Sequence, residues 1–299
     1  MGKDKTEFDV LLDELRAATD RISSVSVGDN PRIITKARKA LDEVSERLAC
    51  VAAGFDPVLR PSSIFDPADP TTAGRIVALT LISQPTHPLA SIPNFYGAGV
   101  YALYYSGDFE PYRQLSGVDH PIYVGKADPA ASGAKDAVAQ GTKLSLRLGE
   151  HAKSIGKAHS TLRLDDFKCR FLIVQSGFQK SAEDYLIRFF KPIWNSETKI
   201  CFGLGKHGDS SETRDNKRSP WDTMHPGRAW ADKSTKDQKT FTQIVSLIAD
   251  HLTAHPPYRD IQELFYQFME DMRQLNKEEF VDEKNEVFVL EENRTSYGV

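Results

Sequence analysis

Cysteine is scarce in this chain: 299 residues hold three, Cys50, Cys169 and Cys201, all far apart. That scarcity excludes a disulfide framework and a zinc site, and leaves small buried hydrophobes in a reducing compartment. Long apolar runs are missing as well. No segment approaches the roughly 18 uncharged residues that a membrane span needs. The first residues, MGKDKTEFDVLLDELRAA, alternate in charge where an export signal carries an apolar stretch. Met-Gly and Thr6 only loosely approach a myristoylation pattern, because their surroundings are acidic. A bacterial cytoplasmic protein with no membrane partner is expected. No internal repeat is present.

Strong charge of one sign is also lacking. With 38 Lys+Arg against 42 Asp+Glu, the net charge is −4, which by itself argues against a nucleic-acid binder. The total conceals an asymmetry. Residues 120–230 hold 18 Lys+Arg and 12 Asp+Glu, whereas residues 231–299 hold 8 and 14. A basic middle beside an acidic tail fits a chain that offers one face to an anionic ligand, or merely an uneven surface.

The rest is an ordinary globular composition, 40% hydrophobic and 27% charged. Residues 5–25 and 31–53 space Phe8, Leu11, Leu12, Leu15 and Ile34, Ala37, Leu41, Val44, Leu48 as helix faces. Asn30 and Pro31 punctuate the break between them, so a helical hairpin is predicted. A Pro- and Ser-rich segment follows to residue 95, with one helix near 71–83. GAGVYALYY and PIYVGKA then alternate as strands, residues 135–157 read as a helix, and KCRFLIVQS reads as an interior strand. SAEDYLIRFFKP is a short helix with a Ser start and a Pro stop. Two amphipathic helices, 237–254 and 258–275, and a strand-like VFVLEE close the chain.

The chemistry concentrates in the middle. Tyr101 and Tyr123 sit on consecutive strands, in Gly99-Val100-Tyr101 and Tyr123-Val124-Gly125, with Lys126 next. Arg147 and His151, four apart, share a helix face. Glu183 opens the following helix, and Asn195 lies twelve residues on. Singly, each has a plain role: strand aromatics, solvated helix residues, a favourable carboxylate in a first turn, a helix terminator. Together they suit phosphodiester hydrolysis. Glu183 could hold a hard cation that keeps most of its waters, the habit of Mg²⁺. Arg147 offers a planar fork to a phosphate. A tyrosine base needs cations nearby or a partner such as His151, because its unperturbed pKa is about 10.

The ordered set Tyr101, Tyr123, Arg147, Glu183, Asn195 over a β-β-α-β-α pattern resembles the GIY-YIG nuclease superfamily, with Val for Ile in both tripeptides. His151 resembles its type II restriction endonuclease branch, and that likeness extends less specifically through WDTMHPGRAW. The resemblance implies an α+β fold whose core has a central three-stranded antiparallel sheet. It implies a Mg²⁺-dependent DNA endonuclease in which Tyr101 activates water, Tyr123 contacts phosphate or water, Glu183 holds the metal and Asn195 orients the site. The branch it most resembles cuts CCGCGG and leaves 3′ overhangs. The expected division is a helical and wrapping segment (1–95), the nuclease core (96–197), basic DNA-contacting loops (198–232) and a C-terminal helical extension (233–299).

A small core leaves base reading to its flanks. Lys199, Lys206, His207, Arg214, Asn216, Lys217, Arg218 and Arg228, with His225 among them, are expected to face DNA, since such groups bond phosphates and base edges. Trp221 and Trp230 are expected to anchor this loop. One active site cuts one strand, so a double-strand cut at a palindrome implies a homodimer or homotetramer. The terminal helices are candidates for that interface. The rivals are a nicking enzyme of repair or homing, whose usual helix-hairpin-helix or zinc modules are missing here, and a catalytically inactive DNA-binding module.

Overall fold

The computed structural model describes residues 6–26, 28, 30–55, 60–61, 64–205, 217–234, 236–275, 279–281 and 287–289. It divides into two compact units, residues 65–276 and residues 1–64 with 277–299. In the latter, α1 (Glu7–Ser23) starts at a capping box between Thr6 and Asp9, and α2 (Pro31–Ala53) starts at the Asn30 cap with Pro31 in its first turn. Phe8 meets Phe55 edge-to-face, rings 5.4 Å apart. α1 buries no residue. The next piece is a two-residue strand, β1 (Arg60–Pro61).

The other unit opens with α3 (Pro70–Ser83), capped by Asp69, and β2 (His87–Pro88). Then come β3 (Gly99–Tyr105), β4 (Tyr123–Ala127), α4 (Lys143–Lys157), β5 (Phe167–Ile173) and α5 (Gln179–Phe190). The sheet is antiparallel with order β2-β5-β3-β4. It has four strands where the sequence pattern indicates three. The addition, β2, is a two-residue edge piece ending in Pro88, a residue an edge tolerates because no neighbour needs its missing N–H. α4 begins eight residues later than its periodicity suggests, since Gly133 and Gly141 take φ of +73° and +71° and keep the preceding segment in turns. α5 ends as expected: Lys191 leaves it in the left-handed region, at φ 48°, just before Pro192.

After β6 (Lys217–Arg218) come α6 (Pro220–Met224), α7 (Ala229–Asp232), β7 (Lys236–Asp237), α8 (Phe241–Ala254) and α9 (Ile261–Leu275). β8 (Glu279–Val281) and β9 (Val287–Val289) belong to the unit of α1, α2 and β1, in the order β1-β8-β9. Of VFVLEE, only residues 287–289 are described.

β3 is buried along its whole length, so both faces of the sheet are covered. Tyr101, Leu103 and Tyr105 point into one core, with Leu148 of α4, Trp221 of α6 and Ile244, Ile248 and Leu252 of α8. Val100, Ala102 and Tyr104 point into a second core, with Leu81 of α3, Leu186 of α5 and Leu264 and Phe268 of α9. Two cores explain why α8 and α9 are held within their own chain rather than left bare by a small domain. Each large side chain buried this way contributes about 1.5–3 kcal/mol of transfer free energy.

Candidate active site

The register of β3 against β4 sets Tyr101 opposite Gly125. A side chain at 125 would collide with the Tyr101 hydroxyl, which explains the glycine. Tyr123, two residues before Gly125, presents its ring on the same face. α4 crosses that face and delivers His151 between the tyrosines, with ring centroids 5.4 Å from Tyr101 and 5.1 Å from Tyr123. The Tyr101 hydroxyl and His151 Nε2 are 2.6 Å apart. One turn earlier, Arg147 reaches toward the same hydroxyls while its Nη1 donates to Glu150 at 2.9 Å.

Burial governs the electrostatics here. It pushes the Tyr101 phenol well above its usual pKa, and Tyr123 pushes it further, against the pull of Arg147. Tyr123 is raised for the same first reason, with Arg147 opposing. Burial alone would lower the pKa of Arg147; the two tyrosines and Glu150 outweigh it and the guanidinium stays charged. Glu183, on α5, is raised to about 7, chiefly by burial, with Lys126 opposing and Asp184, Glu197 and Asp128 adding to it.

Tyr123, Glu183 and Asn195 line a cleft of about 280 Å³, whose far wall is the strap from Phe202 to Gly205. Tyr101 has no exposed surface, and its hydroxyl interacts with Tyr123 and Arg147. Asn195 is buried too. Its amide accepts from Val124 N–H at 3.0 Å and donates to Val124 C=O at 2.8 Å, which ties the 190s loop to the middle of the YVG tripeptide. Lys126 is half-buried and paired with Asp128, and its charge acts on Glu183.

The residues expected to face DNA separate. Lys199 and Lys217 are exposed. Arg218 is half-buried, with its Nε on Asp237 at 2.6 Å. Lys206, His207, Arg214 and Asn216 lie outside the described residues. Arg228 is a correction: it is buried, with Nε on Asp222 at 2.7 Å, so its charge is spent inside the chain and does not face DNA. His225 is another. It is fully buried, its Nε2 2.6 Å from the Tyr112 hydroxyl and its Nδ1 2.9 Å from Thr161 Oγ1. Both corrections have one cause: in a segment with no periodicity, composition does not say which cations point inward. Sequence reasoning also missed the strap. Its only signal was the spacing of Gly203 and Gly205 beside a phosphate-type site.

Among the described residues no three His, Cys, Asp or Glu side chains form a ready cage for a cation. A metal in this cleft would have Glu183 as its protein anchor and water for the remainder. Burial and neighbouring acids leave that carboxylate short of positive charge, so the donor fits a hydrated Mg²⁺.

The antiparallel sheet with two tyrosines, an arginine and a histidine from one helix, and a carboxylate from the next, defines a nuclease domain of the GIY-YIG class. The family model described as the Eco29kI GIY-YIG domain matches residues 93–252, more than half of the chain. The chain belongs to this family of restriction endonucleases, and its domain is an endonuclease whose substrate is DNA. The match runs past the core through Trp221–Trp230 and into α8. No curated protein matches the chain. None of the described helices is long and apolar enough to cross a membrane.

Proposed function

We propose that the chain is a type II restriction endonuclease that cuts both strands of double-stranded DNA at a short palindrome, CCGCGG by the resemblance. The observation that supports this most is the meeting of Tyr101, Tyr123, Arg147 and His151 beside a cleft holding Glu183. Mg²⁺ held by Glu183 would supply charge stabilisation to the phosphate and the leaving oxygen. The chain's own groups supply the rest. The Arg147 fork contacts the phosphoryl oxygens. Tyr123, on the cleft wall, contacts water or phosphate. Tyr101 hands its phenolic proton to His151 Nε2 as it accepts the proton of the attacking water, so no phenolate has to persist in a site that disfavours one. Lys126 stands beside Glu183 and the developing charge. Asn195 holds β4, and with it Tyr123, in place.

Lys199 and Lys217 would hold DNA phosphates, together with Lys206, His207, Arg214 and Asn216. Cutting both strands needs two such sites, so a homodimer or homotetramer is the working form. α1 and α2, which leave Leu11, Leu41, Val44 and Leu48 exposed, are the surface we assign to that pairing.

The test separates chemistry from binding. Glu183→Ala should abolish Mg²⁺-dependent cleavage, while DNA affinity measured in Ca²⁺ stays within about threefold, because the metal anchor alone is lost. Cleavage at the wild-type rate would remove Glu183 from the site and overturn the assignment.

A further inference from the structure

The buried ion pair Asp222–Arg228 lies outside the groups that meet in the cleft. Both side chains are all but inaccessible, 1% and 2% exposed. A buried pair of this kind costs desolvation that its attraction barely offsets, and an apolar pair of the same volume is often as stable. What the pair holds is therefore informative. Arg228 Nη2 donates to Gly203 C=O at 2.9 Å and Nη1 to Leu204 C=O at 3.0 Å. The preceding carbonyl, that of Phe202, accepts from Trp221 N–H at 3.0 Å. Three consecutive carbonyls of the strap are thus captured by one segment. The Arg228 guanidinium is itself fixed between the rings of Trp221 and Trp230, at 4.5 and 4.8 Å. Asp222 is fixed in turn by the Ser219 hydroxyl, at 2.6 Å.

The strap has glycines where it must pass closely. Gly203 takes φ +126° against Ser219 Oγ, where a side chain would clash. At Gly205 a Cβ would stand 2.6 Å from Arg147 Nη2 and 3.9 Å from the Tyr123 hydroxyl. The strap backbone therefore lies directly against the arginine, with no side chain between them.

We propose that Asp222 and Arg228 are positioning residues for Arg147: they hold the strap 202–205 in the one place where it fixes the Arg147 guanidinium beside the cleft. The kinetic part of this inference rests on the proposed role of Arg147 at the phosphate; the geometric part does not.

The test uses the full-length protein and two perturbations. Asp222→Asn with Arg228→Gln loosens the clamp without leaving a lone buried charge. Gly205→Ala sets a methyl group against Arg147 Nη2 and displaces the guanidinium while leaving the clamp intact. The Arg147 side-chain Nε–H resonance, assigned by its loss in Arg147→Lys, reports position independently of activity. Both perturbations should shift or broaden it. Single-turnover cleavage should fall by about tenfold or more with DNA affinity in Ca²⁺ within about threefold, since a displacement of roughly 1 Å in a reacting group can cost that much. In an Arg147→Lys background the clamp substitutions should cost less than about twofold further, the non-additivity expected of groups acting through one another. An unmoved Arg147 resonance in both variants, or an equal loss in both backgrounds, would overturn the proposal. If the wild-type protein cut no DNA, the nuclease mechanism would fall and the resonance alone would decide the strap.

Discussion

Tyr101 carries two opposite demands. In the proposed mechanism its hydroxyl exchanges a proton, yet burial and Tyr123 both disfavour its charged form. The 2.6 Å contact with His151 reconciles them, because the proton has somewhere to go. Tyr101→Phe keeps the ring and deletes that oxygen. Single-turnover cleavage should drop by about a hundredfold or more, the scale of a lost acid–base partner. Wild-type cleavage would instead pass the base role to His151. A second residue-scale prediction concerns His225, whose pKa burial lowers to about 3, with Arg228 adding to the effect. Unfolded, it would titrate near 6.5. The folded state then binds fewer protons than the unfolded one between those values, so stability is full above about pH 6.5 and falls as pH drops toward 3. His120, lowered by burial to about 4, acts in the same direction. Melting temperatures from pH 7.5 to 4.5 should fall less steeply for His225→Gln than for the wild type. Parallel curves would mean that His225 charges at no cost.

These residues differ in how legible they were. That Tyr101, Arg147 and His151 meet, with Glu183 beside them, was legible because order and helix spacing agreed; their roles belong to the proposed mechanism. The burial of His225 and Arg228 was not legible, since no period marks the inward face of the segment between β6 and α8.

Elements position what residues perform. β4 is the outer strand of its sheet, and its middle is tied by the Asn195 amide rather than by another strand. Asn195→Ala would leave Val124 N–H and C=O without their buried partner. Denaturant unfolding should show a loss of about 2–4 kcal/mol, the cost of two unmet backbone groups. Cleavage should slow as Tyr123 shifts with β4. An unchanged stability with an unchanged rate would release Asn195 from this role. The resemblance pointed to Asn195, but its target, a backbone amide 71 residues earlier, exists only once the chain has folded. The two-residue β2 and the late start of α4 were illegible for a simpler reason: short strands carry no period, and a turn glycine resembles a helix glycine in sequence. At β6 the structure separates two basic residues the sequence treated alike. Lys217→Ala should flatten the slope of log affinity against log salt by about one unit, and Arg218→Ala by less, because Arg218 is half-buried where Lys217 is exposed. Equal slopes for Lys217→Ala and wild type would turn that residue to solvent.

At the scale of the whole molecule, the acidic total charge and a DNA substrate are compatible because charge is distributed by region. The chain from residue 120 to 230 is basic and the remainder is not. The stripes of α8 and α9 are covered by the two faces of the sheet. Periodicity showed that these helices had an apolar face but not which surface would take it. α1 and α2 remain open, and the proposed cut of both strands calls for a second copy. The most direct measurement follows a supercoiled plasmid of known sequence with Mg²⁺ and limiting protein, then sequences every end produced. Linear product with little free nicked circle, its ends all falling in one short palindrome with 3′ overhangs, is the predicted result. Nicked circles that accumulate, or ends scattered over unrelated sequences, would contradict it.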